Sequence, residues 1–551
     1  MGFWLATIPK KSTTRLALFD YIPESSPLKK WVTHRNAYLL GLATILCGLA
    51  WSNILMSIGQ LILVGNWLAE LEFEQKRRRA INQPILFLML LFFALHLVGF
   101  AWSEDLDYAV KDATVKLPLL VLPLIIGTTK VLRKKEWYFL FSVYIITLTV
   151  LSVISLLKYL GLTSSIVMDK RDLSIYISHI RYGLNICLGI VFLLFQSVDF
   201  VPRVKGIRLL LILWFTACLI LFQFYTALLI LLILGVFFFI SGLMSKKKLS
   251  SLFMVVSACL TMALIVGCIL VFKVYQDYHK PVPLDYNQES FFPARSAGGE
   301  VYGWRGNMYV KENGVYLNRY VAWNELEESW SKRSNLRFWK KDLKGQSLTK
   351  TLLRYMSSKG LKKDSMGVSQ LTDEDITAIE RGVANVYYTK HWPIENRIHQ
   401  TFDEFEKYRE SGTANSFSLA LRLVYWKAAL DIIREDVLFG KGTGDVKQAF
   451  KNYYKTQNID LEERYRRRAH NQYLSIGVAF GLLGMAFFMV YLLLPLTSIF
   501  KKNRVFTAFW LLACLSFLTE DTLETQAGVT LFIVFWSLFS FALNPFYFRS
   551  S

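Results

Sequence analysis

The sequence is short of charge, short of cysteine, and lacks a nucleotide-binding loop. Only 19% of its 551 residues are Asp, Glu, Lys or Arg, against about 25% in ordinary soluble domains. Hydrophobic residues make up 53% and mean hydropathy is +0.33. These values exclude an ordinary soluble enzyme and a disordered chain. The apolar residues fall in runs of about 17–25, the length of a membrane-crossing helix and too long for the alternating strands of an outer-membrane barrel. All six cysteines (Cys47, Cys187, Cys218, Cys259, Cys268 and Cys514) lie in these runs. The long polar segment has none, which excludes a disulfide or a cysteine metal site there. No internal repeat is visible. The polar, basic stretch before Arg35 has no early apolar core, so no signal peptide is expected.

What is present is an alternation of apolar runs and basic loops. The net charge of +21 would suit nucleic acid, but the surplus sits in short loops beside apolar runs. Twelve membrane helices are expected, near 36–51, 53–69, 84–102, 115–128, 137–160, 180–197, 208–222, 227–243, 251–273, 473–499, 505–519 and 527–544. The fourth and seventh are short enough to tilt or break. The link Trp51-Ser52-Asn53 is tight enough for a re-entrant pair. Bases cluster in alternate loops, such as Lys76-Arg77-Arg78-Arg79, Arg133-Lys134-Lys135 and Lys246-Lys247-Lys248. The opposite loops are richer in acids, such as Glu104, Asp105 and Asp107, then Glu520, Asp521 and Glu524. The positive-inside rule therefore puts both termini in the cytoplasm.

The domain plan follows. Residues 1–35 form a cytoplasmic segment, 36–273 carry helices one to nine, 274–472 form a polar extracytoplasmic (periplasmic) domain, 473–544 carry helices ten to twelve, and 545–551 form a cytoplasmic tail. The fold class is an all-α polytopic membrane protein with a large, mostly helical outer domain. In that domain Lys311-Glu312-Asn313-Gly314-Val315-Tyr316 predicts a hairpin, because Asn-Gly suits positive φ. Thr372 followed by Asp375, Ile376, Ile379 and Val383 predicts a capped amphipathic helix, and 418–433 another.

Several residues could carry chemistry. His34 fits a solvated cytoplasmic role, and His279, His391 and His399 fit surface or structural ones. His96 lies inside an apolar helix, where an ionisable group is either functional or hydrogen-bonded between helices. His470 follows Arg466-Arg467-Arg468-Ala469 and precedes Asn471 at the mouth of an apolar helix. An imidazole there can accept a proton from a hydroxyl, with the arginines binding an anionic leaving group. The same residues fit a basic cluster that meets lipid headgroups. Arg422 and Trp426 share one helical face. Gly440-Lys441-Gly442-Thr443-Gly444 lacks the GxxxxGK[ST] spacing, which rejects nucleotide binding. It fits a turn that brings Arg422 and His470 together, or an ordinary helix cap. His179 and Arg181 form a second histidine–arginine pair at the same membrane face. Glu520, Asp521, Glu524 and Gln526 crowd a short outer loop, where they could orient a base, bind a sugar hydroxyl or simply be solvated.

This ordered set resembles the O-antigen ligase and polymerase superfamily. The resemblance rests on Arg422 with Trp426, the Gly440–Gly444 turn, Ala469-His470-Asn471 before a helix with Gly481 and Gly484, His179-Ile180-Arg181, Trp102-Ser103 and Lys116-Leu117-Pro118-Leu119. It implies a GT-C-like membrane glycosyltransferase that needs no metal and no cofactor. The donor would be a glycan on undecaprenyl diphosphate. The acceptor hydroxyl would be on lipid A-core, a further repeat unit or a protein. It also implies catalysis by His470, donor pyrophosphate binding by Arg422, Arg181 and Tyr225, and support from His179, Trp426, Arg468, Asn471 and Glu524. Tyr225 stands where such proteins often carry a second pyrophosphate arginine, so it offers a hydrogen bond in place of a charge. A ligase, a polymerase, a transporter of the same lipid-linked glycan and a membrane scaffold remain open, although no inverted repeat supports a transporter.

Overall fold

The computed structural model describes residues 33–163, 170–195, 204–244, 251–279, 295–303, 311–312, 315–412, 414–415, 417–496 and 504–542. Most of the expected N-terminal segment, the 545–551 tail and the Asn313-Gly314 turn lie outside the described residues. The chain forms two compact units. The first runs to Thr261 and resumes over Tyr425–Gln457 and from Arg466 onward; the second comprises Met262–Val424 and Asn458–Tyr465. The 274–472 segment is shared between the two units: its part up to Val424 and Asn458–Tyr465 fall in the second, and Tyr425–Gln457 and the residues from Arg466 in the first.

The first unit begins with α1 (His34–Trp51), α2 (Asn53–Ala69), α3 (Phe73–Ile81), α4 (Pro84–Val98), α5 (Leu106–Lys116) and α6 (Pro118–Thr128). It continues with α7 (Lys134–Tyr159), α8 (His179–Phe195), α9 (Val204–Leu221), α10 (Tyr225–Leu243) and the first part of α11 (Ser251–Tyr278). Ser52 ends α1 and caps α2, its hydroxyl accepting from Ile54 N at 3.1 Å. Proline opens both α4 and α6, where its missing N–H costs no helical bond.

The apolar runs are helical, but they are not twelve equal spans. Among the described residues, five helices are long and apolar enough to cross a membrane alone: Pro84–Trp102, Lys134–Tyr159, Tyr225–Leu243, Phe253–Tyr278 and Gln472–Pro495. The pair α2 and α3, bent by 110°, would make a sixth. His179–Phe195, Gly206–Leu221, Arg504–Phe517 and Gln526–Ala542 are shorter apolar helices. The expected 115–128 span breaks at Leu117–Pro118, because proline cannot continue the ladder of α5.

The second unit contains β1 (Lys311–Glu312) and β2 (Val315–Tyr316), paired antiparallel as the hairpin pattern predicts. Its helices are α12 (Trp323–Ser331), α13 (Leu348–Ser358), α14 (Ser365–Ser369), α15 (Asp373–Glu380), α16 (Tyr387–Lys390) and α17 (Pro393–Ser411). Its core joins Leu326 and Trp330 to Leu348, Leu352, Tyr355 and Met356 and to Ile379. Those α13 positions share one helical face, which explains why that face is apolar. The expected cap is present: Thr372 Oγ1 accepts from Asp375 N, and Asp375 Oδ2 accepts from Thr372 N. His399 is buried against Tyr387, a structural role.

Helix α18 (Ser418–Glu435) starts in the second unit and ends in the first. The first unit closes with α19 (Val446–Thr456), α20 (Gln472–Pro495), α21 (Arg504–Phe517) and α22 (Gln526–Ser537).

Candidate functional site

Helix α20 is kinked at Gly481 (φ 62°, ψ −161°). In an unbroken helix Leu482 N would donate to Val478 O, and Leu483 N to Ala479 O. Here they donate to Val437 O (2.8 Å) and Leu438 O (3.4 Å). The released carbonyls of Val478 and Ala479 accept from Lys441 N and Gly442 N, both at 2.9 Å. Side chains do not fit at this crossing. A Cβ on Gly481 would collide with the Leu438 carbonyl, and one on Gly440 would lie 2.6 Å from Gly481 N. The turn is also tied to the end of α4. Thr443 Oγ1 donates to His96 O at 2.7 Å, Gly444 N to Ser103 Oγ at 2.9 Å, and the Asp445 carboxylate accepts from Glu104 N and Asp105 N. The amides of this glycine-rich turn are thus engaged with protein acceptors. It is a structural joint and not a phosphate cradle. His96 belongs to the same joint: it is buried, with Nδ1 2.9 Å from Phe92 O.

The mouth of α20, at its Asn471 cap, lies ahead of this joint. His470 stands one residue outside the Asn471 cap, in the left-handed region at φ 46°. That conformation is uncommon for a residue with a side chain, and such residues cluster at functional sites. Its ring stacks on Tyr425 at 5.7 Å. Nδ1 lies 3.5 Å from Glu520 Oε2 and 3.7 Å from Asp521 Oδ1. These are ion-pair distances, too long for hydrogen bonds. One ligand atom from each of these three residues falls within a 4.8 Å group, a spacing that could hold a cation.

A second tier of charge lies behind. Glu524 accepts from Lys116 Nζ (3.0 Å), Arg468 Nη1 (2.9 Å) and Gln472 Nε2 (3.3 Å). Lys116 also pairs with Asp112 at 2.5 Å. Burial opposes charge on Glu524, but Lys116 and Arg468 outweigh it and hold its carboxyl well below the usual range. Burial likewise opposes charge on Arg468, and Glu524, Tyr108 and Asp521 more than offset it. Asp521 goes the other way: burial raises its pKa, and Arg468 and His470 offset only part of the rise. Asn471 Nδ2 donates to Leu518 O and Gln472 Oε1 accepts from Leu523 N, so α20 holds the 518–524 loop by both residues. A cavity of about 10 Å³ between His96, Lys116, Arg468 and Glu524 has room for no more than a water.

Arg181, near the start of α8, feels the charges of Glu520 and Asp521. It therefore belongs to the same neighbourhood as His470. His179 Nδ1 lies 3.3 Å from Ser174 Oγ and its ring 4.5 Å from Phe224. Tyr225 opens α10 and is half-buried. Trp426 neighbours Tyr425 on α18, and its indole N–H makes no hydrogen bond among the described residues. Arg422 belongs to the second unit and is half-buried on α18. The structure thus gathers His470, Arg468, Asn471, Glu524 and Arg181. It adds Tyr425, Lys116, Asp112 and Tyr108, to which sequence reasoning gave no role. The sequence hint to Lys116 was its place in Lys116-Leu117-Pro118-Leu119, at the head of an apolar run; for Tyr425 there was none.

Residues 375–489 match a family model described as O-antigen ligase. The match spans Arg422, Trp426, the glycine-rich turn, Arg468, His470 and Asn471, and supports the superfamily that the motifs resemble. No curated protein matches the chain.

Proposed function

From the O-antigen ligase domain that this membrane protein carries, we propose that it is an inverting glycan transferase acting at the outer face of the bacterial cytoplasmic membrane. The donor is a glycan on undecaprenyl diphosphate and the acceptor a hydroxyl of lipid A-core or a similar glycan. The observation that carries the reading is His470. It sits in a rare backbone conformation at a helix mouth, with two carboxylates beside Nδ1 and arginines nearby.

The acids on the Nδ1 side favour a proton there, leaving Nε2 to face the acceptor. The acceptor oxygen attacks the anomeric carbon as its proton passes to His470. The bond from that carbon to the pyrophosphate oxygen breaks on the opposite face, which inverts the centre. Undecaprenyl diphosphate leaves with the bonding pair. Arg422 and Arg181 neutralise the pyrophosphate, and Tyr225 donates a hydrogen bond to it. Glu520 and Asp521 stabilise the imidazolium that forms, as a fixed charge aimed at developing charge should. Pyrophosphate is a good leaving group, so positioning and charge suffice without a metal. In this reading the positive charge that comes to face Glu520 and Asp521 is the imidazolium formed when His470 takes the acceptor's proton.

Two measurements test this. In a deletion strain complemented with His470→Ala, transfer should fall by about 10²–10⁴-fold, the usual worth of a general base, with protein abundance unchanged. Retained transfer overturns the assignment. Bare core with accumulated long lipid-linked polymer identifies a ligase; core with a single repeat identifies a polymerase. Purified protein should keep its activity in a chelator of divalent cations. A loss restored by one cation would make the His470–Glu520–Asp521 group a metal site.

A further inference from the structure

Beside Arg181 lies a pocket of about 240 Å³ lined by Asn53, Ser174, Tyr176 and Ser178, with Ala527 also in its wall. We propose that it is the subsite for the sugar bonded directly to the donor's pyrophosphate, an assignment that rests on the donor reading above. The volume is below the roughly 300–1,000 Å³ of pockets that enclose drug-sized ligands, and suits a single ring. The lining combines one cation, a carboxamide, two serine hydroxyls and the ring and hydroxyl of Tyr176, with Ile175 and Ile177 as apolar neighbours. That set fits a phosphorylated sugar: the cation meets the phosphate, the polar groups meet ring hydroxyls, and the aromatic face meets ring C–H groups.

The walls are held in place. Trp51 stacks on Tyr176 at 5.1 Å. Ser155 Oγ donates to Leu173 O at 3.0 Å and anchors the segment that carries Ser174 to α7. Gln526 Nε2 donates to Ser57 Oγ at 2.7 Å, which ties α2 to the start of α22. Arg181 lines the pocket and also feels Glu520 and Asp521. It therefore links the pocket to the loop that faces His470. Asn53 and Tyr176 select which first sugar is accepted.

The test measures binding by the full-length protein in nanodiscs. The probes are undecaprenyl diphosphate without sugar, and the same lipid diphosphate bearing N-acetylglucosamine, N-acetylgalactosamine, glucose or galactose. At least one sugar should tighten binding to the wild-type protein by about tenfold, the worth of one or two good hydrogen bonds. Asn53→Ala and Tyr176→Ala should abolish that gain and bind the sugar-free lipid as the wild type does. Tyr176→Phe keeps the stack on Trp51 and should lose only part of the gain, which separates recognition from misfolding. An undiminished gain in both alanine variants overturns the subsite, as does a wild-type protein indifferent to every sugar. A wild-type protein that fails to bind even the sugar-free lipid overturns the donor reading as well.

Discussion

Asp375 in the second unit, which is buried, and Glu524 in the first, which is nearly so, are both carboxylates with several partners, built in opposite ways. Asp375 caps α15 through Thr372, accepts from Tyr355 at 2.5 Å, and pairs with Lys359. Those partners lie 3, 20 and 16 residues away. Glu524 gathers Gln472, Arg468 and Lys116 from 52, 56 and 408 residues away. One carboxylate finishes a local element, and the other fastens two distant segments, the 468–472 run that holds His470 and the end of α5 at Lys116. A local network can form as its helices form, whereas the long-range one can form only after the membrane helices have assembled.

The two can be set against each other by substitution. The largest effect should come from Glu524→Ala, which leaves Lys116 and Arg468 short of their shared anion. Breaking a buried pair costs about 3–5 kcal/mol. Thermal unfolding of the purified protein should show this as a large fall in Tm, and transfer should fail with it. A loss no greater than that of a surface substitution would refute the clamp. Next is Gly481→Ala, which puts a Cβ into the Leu438 carbonyl and holds a side chain at positive φ. Such strain costs about 1–3 kcal/mol, and hydrogen exchange at Lys441 and Gly442 should speed up as the turn detaches. Asp375→Ala removes one cap and one local pair, at a cost of about 0.5–2 kcal/mol for the cap. It should lower Tm without changing the transfer rate of the folded protein. The smallest effect is one of pH. Lys359, Tyr355 and Thr372 outweigh burial and hold the Asp375 carboxyl at about 2, below its unfolded value near 3.9. Its contribution is therefore full above about pH 4 and is lost as the pH falls toward 2. Acid unfolding of the wild type should be steeper there than that of Asp375→Asn, and parallel curves would contradict the assignment.

The same contrast explains what could be read from the sequence. The Thr372–Asp375 cap, the 311–316 hairpin and the Ser418 helix carry local signals, and the structure has them. The apolar runs gave helices, and the shortness of the 115–128 run showed that it could break, but not that the break falls at Pro118 or that α2 and α3 bend. At the site, the cluster of His470 with Arg468 and Asn471 stood in one run of sequence. Glu520 and Asp521 were visible as a crowded loop, but their place beside Nδ1 was not. Lys116 stands 408 residues before Glu524, with Asp112 and Tyr108 in the same early segment, and nothing in local spacing links them to it. The stacking of Tyr425 on His470 joins rings 45 positions apart in the chain, which periodicity cannot predict.

The joint at Gly481 has a consequence for assembly. A straight α20 would satisfy its own amides, as a segment in hydrocarbon must. Docking of the turn trades two bonds within the helix for four bonds between segments, so the two released carbonyls and the two freed amides all find partners. The helix can enter the membrane whole and be re-threaded afterwards by a chain segment synthesised before it. The kink is then the mark of an exchange of partners and not of a damaged helix.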